Sequence, residues 1–284
     1  MKTALIGLGR IGWQYHLPQI VKHEGFELAA VVDTNPERLR EAEVAYGVRG
    51  YADAAEMLAK EAPELVVVAS PTVFHRQHAM DALRAGAHVF LDKPMACSLS
   101  EAREIVDRAR ACNRKLMVYQ PHRATAEVVA ARQVLESGLL GRVYMIRRAS
   151  NGYNRRADWQ AFEKNGGGML SNYGAHYIDQ LLYLTGGVPE EVRCWRMREV
   201  SLGDADDVVK VIIRTANGPL LDVDISQAAA LSAEPWLLLG TLGAAKLEKT
   251  DEGARFLVRY LKPDELRIHA LTSSALIVNQ KANL

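Results

Sequence analysis

At 284 residues, with 49% hydrophobic and 24% charged side chains, the chain is long enough to bury a sizeable core without disulfide or metal staples. A net charge of +1, with only isolated arginine pairs (Arg147–Arg148, Arg155–Arg156), leaves no electrostatic footprint for nucleic acid or an anionic membrane. No apolar run reaches the ~18 residues of a membrane span. The N-terminus lacks a signal-peptide layout, and Cys97, Cys112 and Cys194 form neither a CxxC nor a disulfide framework, which together point to a reducing cytoplasm.

Residues 2–6 (KTALI) read as a strand and 11–23 as a helix. Residues 27–32 (ELAAVV) read as a strand, and NPERLREAEVAYG as a helix ended by Gly47. Then come the helix ADAAEMLAK, the strand ELVVVAS and the helix TVFHRQHAMDALRAG, with Gly86 at its end. The strand HVFLD, the helix SLSEAREIVDRARACN and the strand KLMVYQ follow. Near-continuous Val/Ile/Leu strands alternating with helices mean a parallel sheet covered on both faces. From about residue 121 the pattern changes. Helical stretches at 124–137 and 171–185 are accompanied by the strand-like runs GRVYMIRRAS, EVRCWRMREV, DDVVKVIIRT, PLLDVDIS, PWLLLG, AAKLEK and ARFLVRYL. The short connections ANGP (216–219) and TDEG (250–253) indicate antiparallel neighbours. The expected architecture is a doubly wound α/β domain over 1–120 and an α+β domain over 121–284, without internal repeats or low-complexity segments.

The stretch Gly7-Leu8-Gly9-Arg10-Ile11-Gly12 follows the first strand and opens the first helix, which is the context a dinucleotide site requires. Gly7 permits a tight turn, Gly9 lets backbone approach a pyrophosphate, and Gly12 lets the helix pack close to the sheet. The helix N-terminus offers N–H groups to the phosphates. Asp33, 21 residues after Gly12 and followed by Thr34, is placed to accept the adenosine ribose hydroxyls. Its charge opposes a 2′-phosphate, so NAD is favoured over NADP. Arg38, one turn into the next helix, either reaches a phosphate or is a solvated helix residue; the latter reading is preferred.

In an open α/β sheet, ligands bind beyond the carboxyl ends of the strands, where Ser70-Pro71-Thr72 and Asp92-Lys93-Pro94 lie. A lysine there is either an ordinary surface lysine before a turn proline or a desolvated one. In the second case its pKa falls from about 10.4 toward neutrality and it can move a hydroxyl proton. Further on, GGGMLSNYGAHYID (166–179) places Asn172 and His176 four apart on one helix face. Asp179 is placed one turn on to orient the imidazole, with Gly174 leaving room. A histidine near its ordinary pKa of about 6.5 suits proton transfer; a structural histidine is the other reading.

The chain resembles the glucose–fructose oxidoreductase / inositol dehydrogenase / rhizopine-catabolism family (Gfo/Idh/MocA). The resemblance rests on GLGRIG with Asp33, SPTVFHRQHAMDALRAGAHVFLDKP (70–94), ESGLLGRV (136–143) and GGGMLSNYGAHYIDQLLYLTG (167–187). It implies a Rossmann domain followed by an α+β domain with a large, mostly antiparallel sheet that often makes the subunit interface, as a homodimer or homotetramer. It also implies NAD(P)-dependent dehydrogenation of a sugar, cyclic polyol or related compound. By this resemblance Lys93 is the lysine of the family's Glu-Lys-Pro motif and His176 its catalytic histidine. Asn172 stands where the family usually has aspartate, and Asp92 replaces the glutamate. An asparagine can hold a hydroxyl but cannot take its proton, so proton transfer falls to His176 and Lys93. The cofactor set is Gly7, Leu8, Gly9, Arg10, Ile11, Gly12, Asp33, Thr34, Ser70, Pro71, Thr72, Asp92 and Lys93, with His75 either beside the nicotinamide or on a helix surface. Arg123, Tyr153, Arg156, Trp159 and Asn172 are substrate candidates; the segment 153–159 is either a recognition loop or an ordinary polar loop with a Trp anchor.

Two other readings share the fold: a non-catalytic NAD or sugar sensor, which Asn172 favours, and NAD-dependent glycoside hydrolysis. A metal enzyme is disfavoured because His75 and His78 have no evident third ligand and no HExxH occurs. A nucleophilic hydrolase is disfavoured by the lack of GxSxG. The chain, ending in LIVNQKANL, is shorter than many members of the family it resembles, so an open cleft or an altered oligomer is a further expectation.

Overall fold

The computed structural model describes residues 1–250 and 253–262. Six strands form the first sheet: β1 (Lys2–Ile6), β2 (Glu27–Val32), β3 (Arg49–Tyr51), β4 (Leu65–Val68), β5 (His88–Leu91) and β6 (Leu116–Val118). Their spatial order is β3-β2-β1-β4-β5-β6 and every pairing is parallel. Between the strands run α1 (Leu17–Lys22), α2 (Pro36–Tyr46), α3 (Ala54–Glu61), α4 (His75–Arg84) and α5 (Leu99–Ala111). Side chains alternate across each strand, and both faces are apolar. Ala4 and Ile6 pack with Val66, Val68 and Leu83, whereas Leu5 points the other way to Leu17, Val31 and Val67. The strand order reverses between β1 and β4, and the crevice for a ligand opens there.

Local chemistry sets the helix ends. Asn35 caps α2 by accepting from the Glu37 N–H, Pro36 occupies its first turn, and Gly47 ends it with φ +63°. The expected helix over 11–23 is split: residues Gly12–His16 form a π-turn before α1. Pro18 has no N–H to return to the preceding turn, which accounts for the break in the regular ladder. The strand β3 escapes sequence reading because Arg-Gly-Tyr carries no apolar run.

The second sheet has seven strands: β7 (Val143–Asn151), β8 (Pro189–Met197), β9 (Val208–Thr215), β10 (Leu220–Ser226), β11 (Trp236–Gly240), β12 (Gly243–Thr250) and β13 (Gly253–Tyr260). Their order is β13-β12-β11-β7-β10-β9-β8. All neighbours are antiparallel except β7 and β10, which are parallel. The ANGP turn joins antiparallel β9 and β10 as expected. β12 and β13 also pair antiparallel, although two of the four TDEG residues, like the LIVNQKANL end, lie outside the described residues. Helices α6 (Ala126–Glu136) and α7 (Ala175–Thr185) supply the apolar layer on one face. Among the described residues no helix is long and apolar enough to cross a membrane.

Trp236 anchors that layer. Its ring is fully buried and its indole N–H donates to Glu127 Oε2 at 3.0 Å. The guanidinium of buried Arg148 sits 4.2 Å from the Tyr177 ring centre and 4.8 Å from that of Trp236, and donates to the Pro235 carbonyl. Trp236→Ala therefore removes a large apolar body and leaves a buried cation without one aromatic face. Its expected cost is about 3–5 kcal/mol, read as a lowered urea midpoint; a loss below ~1 kcal/mol would show that this core is not centred on Trp236.

Candidate active site

The glycine loop is built by crowding. Gly7 has φ +98°, and a Cβ there would lie 2.7 Å from the backbone of Ala69 and Ser70 at the end of β4. A Cβ on Gly12 would lie 1.9 Å from the Gly7 carbonyl oxygen. The third glycine thus lets the start of the helix close on the strand ends, with the Ala69 side chain beyond β4 at 3.6 Å from the same Cβ. Gly9 differs: nothing lies within 4 Å of an added Cβ, so its backbone faces open space. A cleft of about 860 Å³ begins at Gly7, Gly9, Arg10 and Ile11 and extends past Asp33 and Thr34, Ser70–Thr72, Asp92 and Lys93. A dinucleotide fits these features: bare backbone for a pyrophosphate, and an acid at the ribose end.

Asp33 Oδ2 accepts from the Leu8 N–H at 2.8 Å, and Oδ1 accepts from the Asn35 N–H at 2.9 Å. The acid is thereby tied to the loop it serves. Leu8 itself is buried and acts through its N–H. Arg38 is an exposed residue of α2. It lines the cleft, and its Nη1 lies 3.5 Å from Asp33 Oδ2, because α2 starts at Pro36 and turns it back toward the strand end.

Lys93 follows β5 and reaches across to the second half of the chain. Its Nζ donates to the Asn172 backbone carbonyl at 2.9 Å and to Asn172 Oδ1 at 3.0 Å. Burial lowers its pKa to about 8, Arg10 and Arg156 push the same way, and Asp92 opposes them. Asp92 is buried and its Oδ1 accepts from the Lys93 backbone N–H at 2.7 Å. Of the two readings of Lys93, the desolvated one describes the structure.

Asn172 lies in a π-turn, Leu170–Gly174, which precedes α7. Its Nδ2 donates to Gln160 Oε1 at 3.2 Å. His176, one turn on, is buried and its pKa is lowered to about 3, first by burial and then by Lys93 and His122. It is therefore a neutral imidazole at pH 7, not the group near 6.5 that its sequence context suggests. Asp179 does not orient it. That carboxylate holds Arg123 in a two-point pair at 2.7 and 2.6 Å, while His176 Nδ1 faces Gln120 Oε1 at 3.3 Å. Gly174 makes room for Leu170, whose Cδ1 would be 3.0 Å from an added Cβ.

Of the substrate candidates, Arg156, Trp159 and Asn172 line the cleft. Arg123, bound to Asp179, and Tyr153, exposed and bridged to Ala228, are not among its lining residues. His75 is not on a surface: it is buried directly behind the cleft wall, with Nδ1 2.8 Å from the Pro94 carbonyl and Nε2 2.8 Å from that of Ser70, two residues that line the cleft. Sequence reasoning missed Gln120, Gln160 and His16. His16 is buried in the first π-turn, its Nε2 lacks a hydrogen-bond partner among the described residues, and it lies 3.9 Å from Asp92 Oδ2. Each of the three is singular in its segment and carries no periodic signal.

An oxidoreductase family with an NAD-binding Rossmann fold matches residues 1–120, and the GFO/IDH/MocA C-terminal domain matches 128–246. The chain belongs to the Gfo/Idh/MocA family. The family's two-sheet plan recurs in an NAD-binding protein from Listeria innocua, with a TM-score of 0.82 and 26% identity over 90% of this chain and 73% of that one. A second similar structure is the WlbA dehydrogenase from Bordetella pertussis in complex with NADH and UDP-GlcNAcA. It has a TM-score of 0.78 and 27% identity over 87% of this chain and 73% of that one. In sequence, D-glucoside 3-dehydrogenase of Escherichia coli is 30% identical over 66% of this chain and 54% of its own length. The chain spans 54–63% of the length of that relative and two others similar to it.

The loop geometry separates two alanine variants of this Gfo/Idh/MocA chain. Gly12→Ala drives a methyl into the Gly7 carbonyl and is expected to lower Tm. Gly9→Ala meets no protein atom, so Tm should hold while dinucleotide affinity drops about tenfold or more by calorimetry. Equal Tm losses would refute the assignment of open space above Gly9. Lys93→Met should raise stability at pH 7 by up to about 3 kcal/mol, the cost of holding a lysine near 8 that would otherwise titrate near 10.5. The folded pKa lies below the unfolded one, so this gain is full below pH 8 and vanishes toward 10.5. Urea unfolding across that range reads it.

Proposed function

We propose that this chain is an NAD-dependent dehydrogenase acting on a hydroxyl-bearing carbon of a sugar, cyclic polyol or related compound. The observation that carries the reading is Lys93: a lysine with a pKa of about 8 lines the dinucleotide cleft and is held by a residue of the other domain. The dehydrogenase names of relatives in the family support it. Gly7, Gly9, Arg10 and Ile11 would hold the pyrophosphate, and Asp33 the ribose hydroxyls. Bound NAD would supply the hydride acceptor.

The protein's own part is proton handling and position. In its neutral form Lys93 takes the hydroxyl proton of the alcohol; in the reverse direction its ammonium returns that proton to the carbonyl oxygen. Asn172 holds Lys93 in place and offers hydrogen bonds without titrating. His176, uncharged, accepts a hydrogen bond from a neighbouring hydroxyl of the substrate and so orients the carbon whose hydroxyl faces Lys93. Arg156 and Trp159 form the substrate side of the cleft. The same reading places a homodimer or homotetramer contact on the open sheet face, where Trp195 and Met197 of β8 are exposed, and the protein in the cytoplasm.

Calorimetry with NAD and NADP, followed by a sugar and polyol panel at the NADH absorbance, tests the proposal. The expected result is tighter binding of NAD and turnover on a panel member. Oxidation should rise as pH increases through about 8, because the neutral amine is the proton acceptor, and the reverse reaction should fall over the same range. Lys93→Met should bind NAD yet lose most turnover. Failure to bind either dinucleotide would sink the reading. Binding of NAD and sugar without turnover across a broad panel would support the sensor, which Asn172 favours.

A further inference from the structure

We propose that Gln120 and His122 are positioning residues for His176: the Gln120 amide decides which imidazole nitrogen carries the proton, and the His122 ring sets the imidazole plane. Nε2 is then left with the bare lone pair. The purpose of this arrangement rests on the dehydrogenase reading, whereas the tautomer is a property of the chain itself.

The argument begins with an amide whose orientation has one consistent solution. Gln120 follows β6, and its Nε2 donates to the Ala175 carbonyl at 3.4 Å. A carbonyl only accepts, so the NH₂ group must point to Ala175. That leaves Gln120 Oε1 facing His176 Nδ1 at 3.3 Å. An amide oxygen also only accepts, so Nδ1 carries the hydrogen. Reversing the amide would set its oxygen against the Ala175 oxygen. In a neutral imidazole the other nitrogen, Nε2, is then the acceptor.

His122, in the turn Pro121–Ala124, lies face to face with His176, ring centres 3.7 Å apart and planes within 12°. The His122 carbonyl accepts from Gln180 Nε2 at 3.2 Å and from Thr125 Oγ1 at 3.1 Å. Gln180 is buried and lies one turn beyond His176 on α7. The helix that carries His176 therefore also grips the backbone that carries its stacking partner. Lys93, from the end of β5, and His122 are the titratable groups that act on His176. Both disfavour a second positive charge there, which keeps the ring neutral and the tautomer meaningful.

Long-range ¹⁵N–¹H correlation spectra of the full chain, with ¹⁵N-labelled histidine at pH 7 and no ligand, test this directly. The expected spectrum shows His176 protonated on Nδ1 and bare on Nε2. Gln120→Met, similar in size but with only a weakly accepting thioether in place of the amide oxygen, should give a mixture of tautomers and lower kcat about tenfold with little change in the KM for NAD. His122→Phe retains a stacking face and should keep both tautomer and kcat, whereas His122→Ala should lower kcat. An Nε2–H tautomer or an imidazolium in the unaltered protein would overturn the proposal, as would an unchanged tautomer in Gln120→Met. If that variant does not fold, the spectrum of the unaltered chain still decides. The expected tautomer in a chain without turnover would leave the proton placement standing and remove the dehydrogenase reading.

Discussion

A lysine taken out of water organises this molecule. Lys93 leaves the first sheet at β5 and donates to both oxygens of Asn172, at the entrance to α7 over the second sheet. A buried ammonium needs acceptors, and here they come from a residue 79 positions away. The charge then sets the electrostatics of its neighbours. It pushes His122 and His176 toward their neutral forms, while Arg10 and Arg156 push Lys93 itself down. Stability is given up for a group whose pKa lies near neutrality, the usual relation between a reactive site and its fold.

Close packing of backbone supports that centre from two sides. On the first sheet, Gly7 and Gly12 let the loop fold against the end of β4 and against itself, leaving Gly9 facing the cleft. On the other side, Gly167 and Gly168 do similar work. A Cβ at Gly167 would lie 2.3 Å from the Gln160 carbonyl oxygen, and one at Gly168, where φ is +101°, 2.5 Å from Asp206 Oδ1. The chain can therefore bring Gln160 beside Asn172. Helices α1 and α7 are both entered through π-turns, Gly12–His16, which carries His16, and Leu170–Gly174, just before His176. Wider turns of this kind re-aim side chains at functional sites.

What the sequence by itself determined is local or periodic. Continuous apolar strands with helices between them can only be buried on both faces, so the parallel sheet and its cleft were legible. Gly7, Gly9 and Asp33 were legible because turn geometry and phosphate approach restrict residue type at fixed spacing. Lys93 and His176 stood out by residue type at strand and helix ends. Tertiary structure alone decided the rest, since it depends on distance in space and on access to water. Asp179 sits one turn from His176 yet pairs with Arg123, which arrives from the β6 end. His176 lost its ordinary pKa because burial, and after it the neighbouring Lys93 and His122, remote in sequence, disfavour its charged form. Gln120 took the role expected of Asp179 for the same reason: a hydrogen bond requires only that two groups meet, and nothing in the spacing of Gln120 and His176 records that they do.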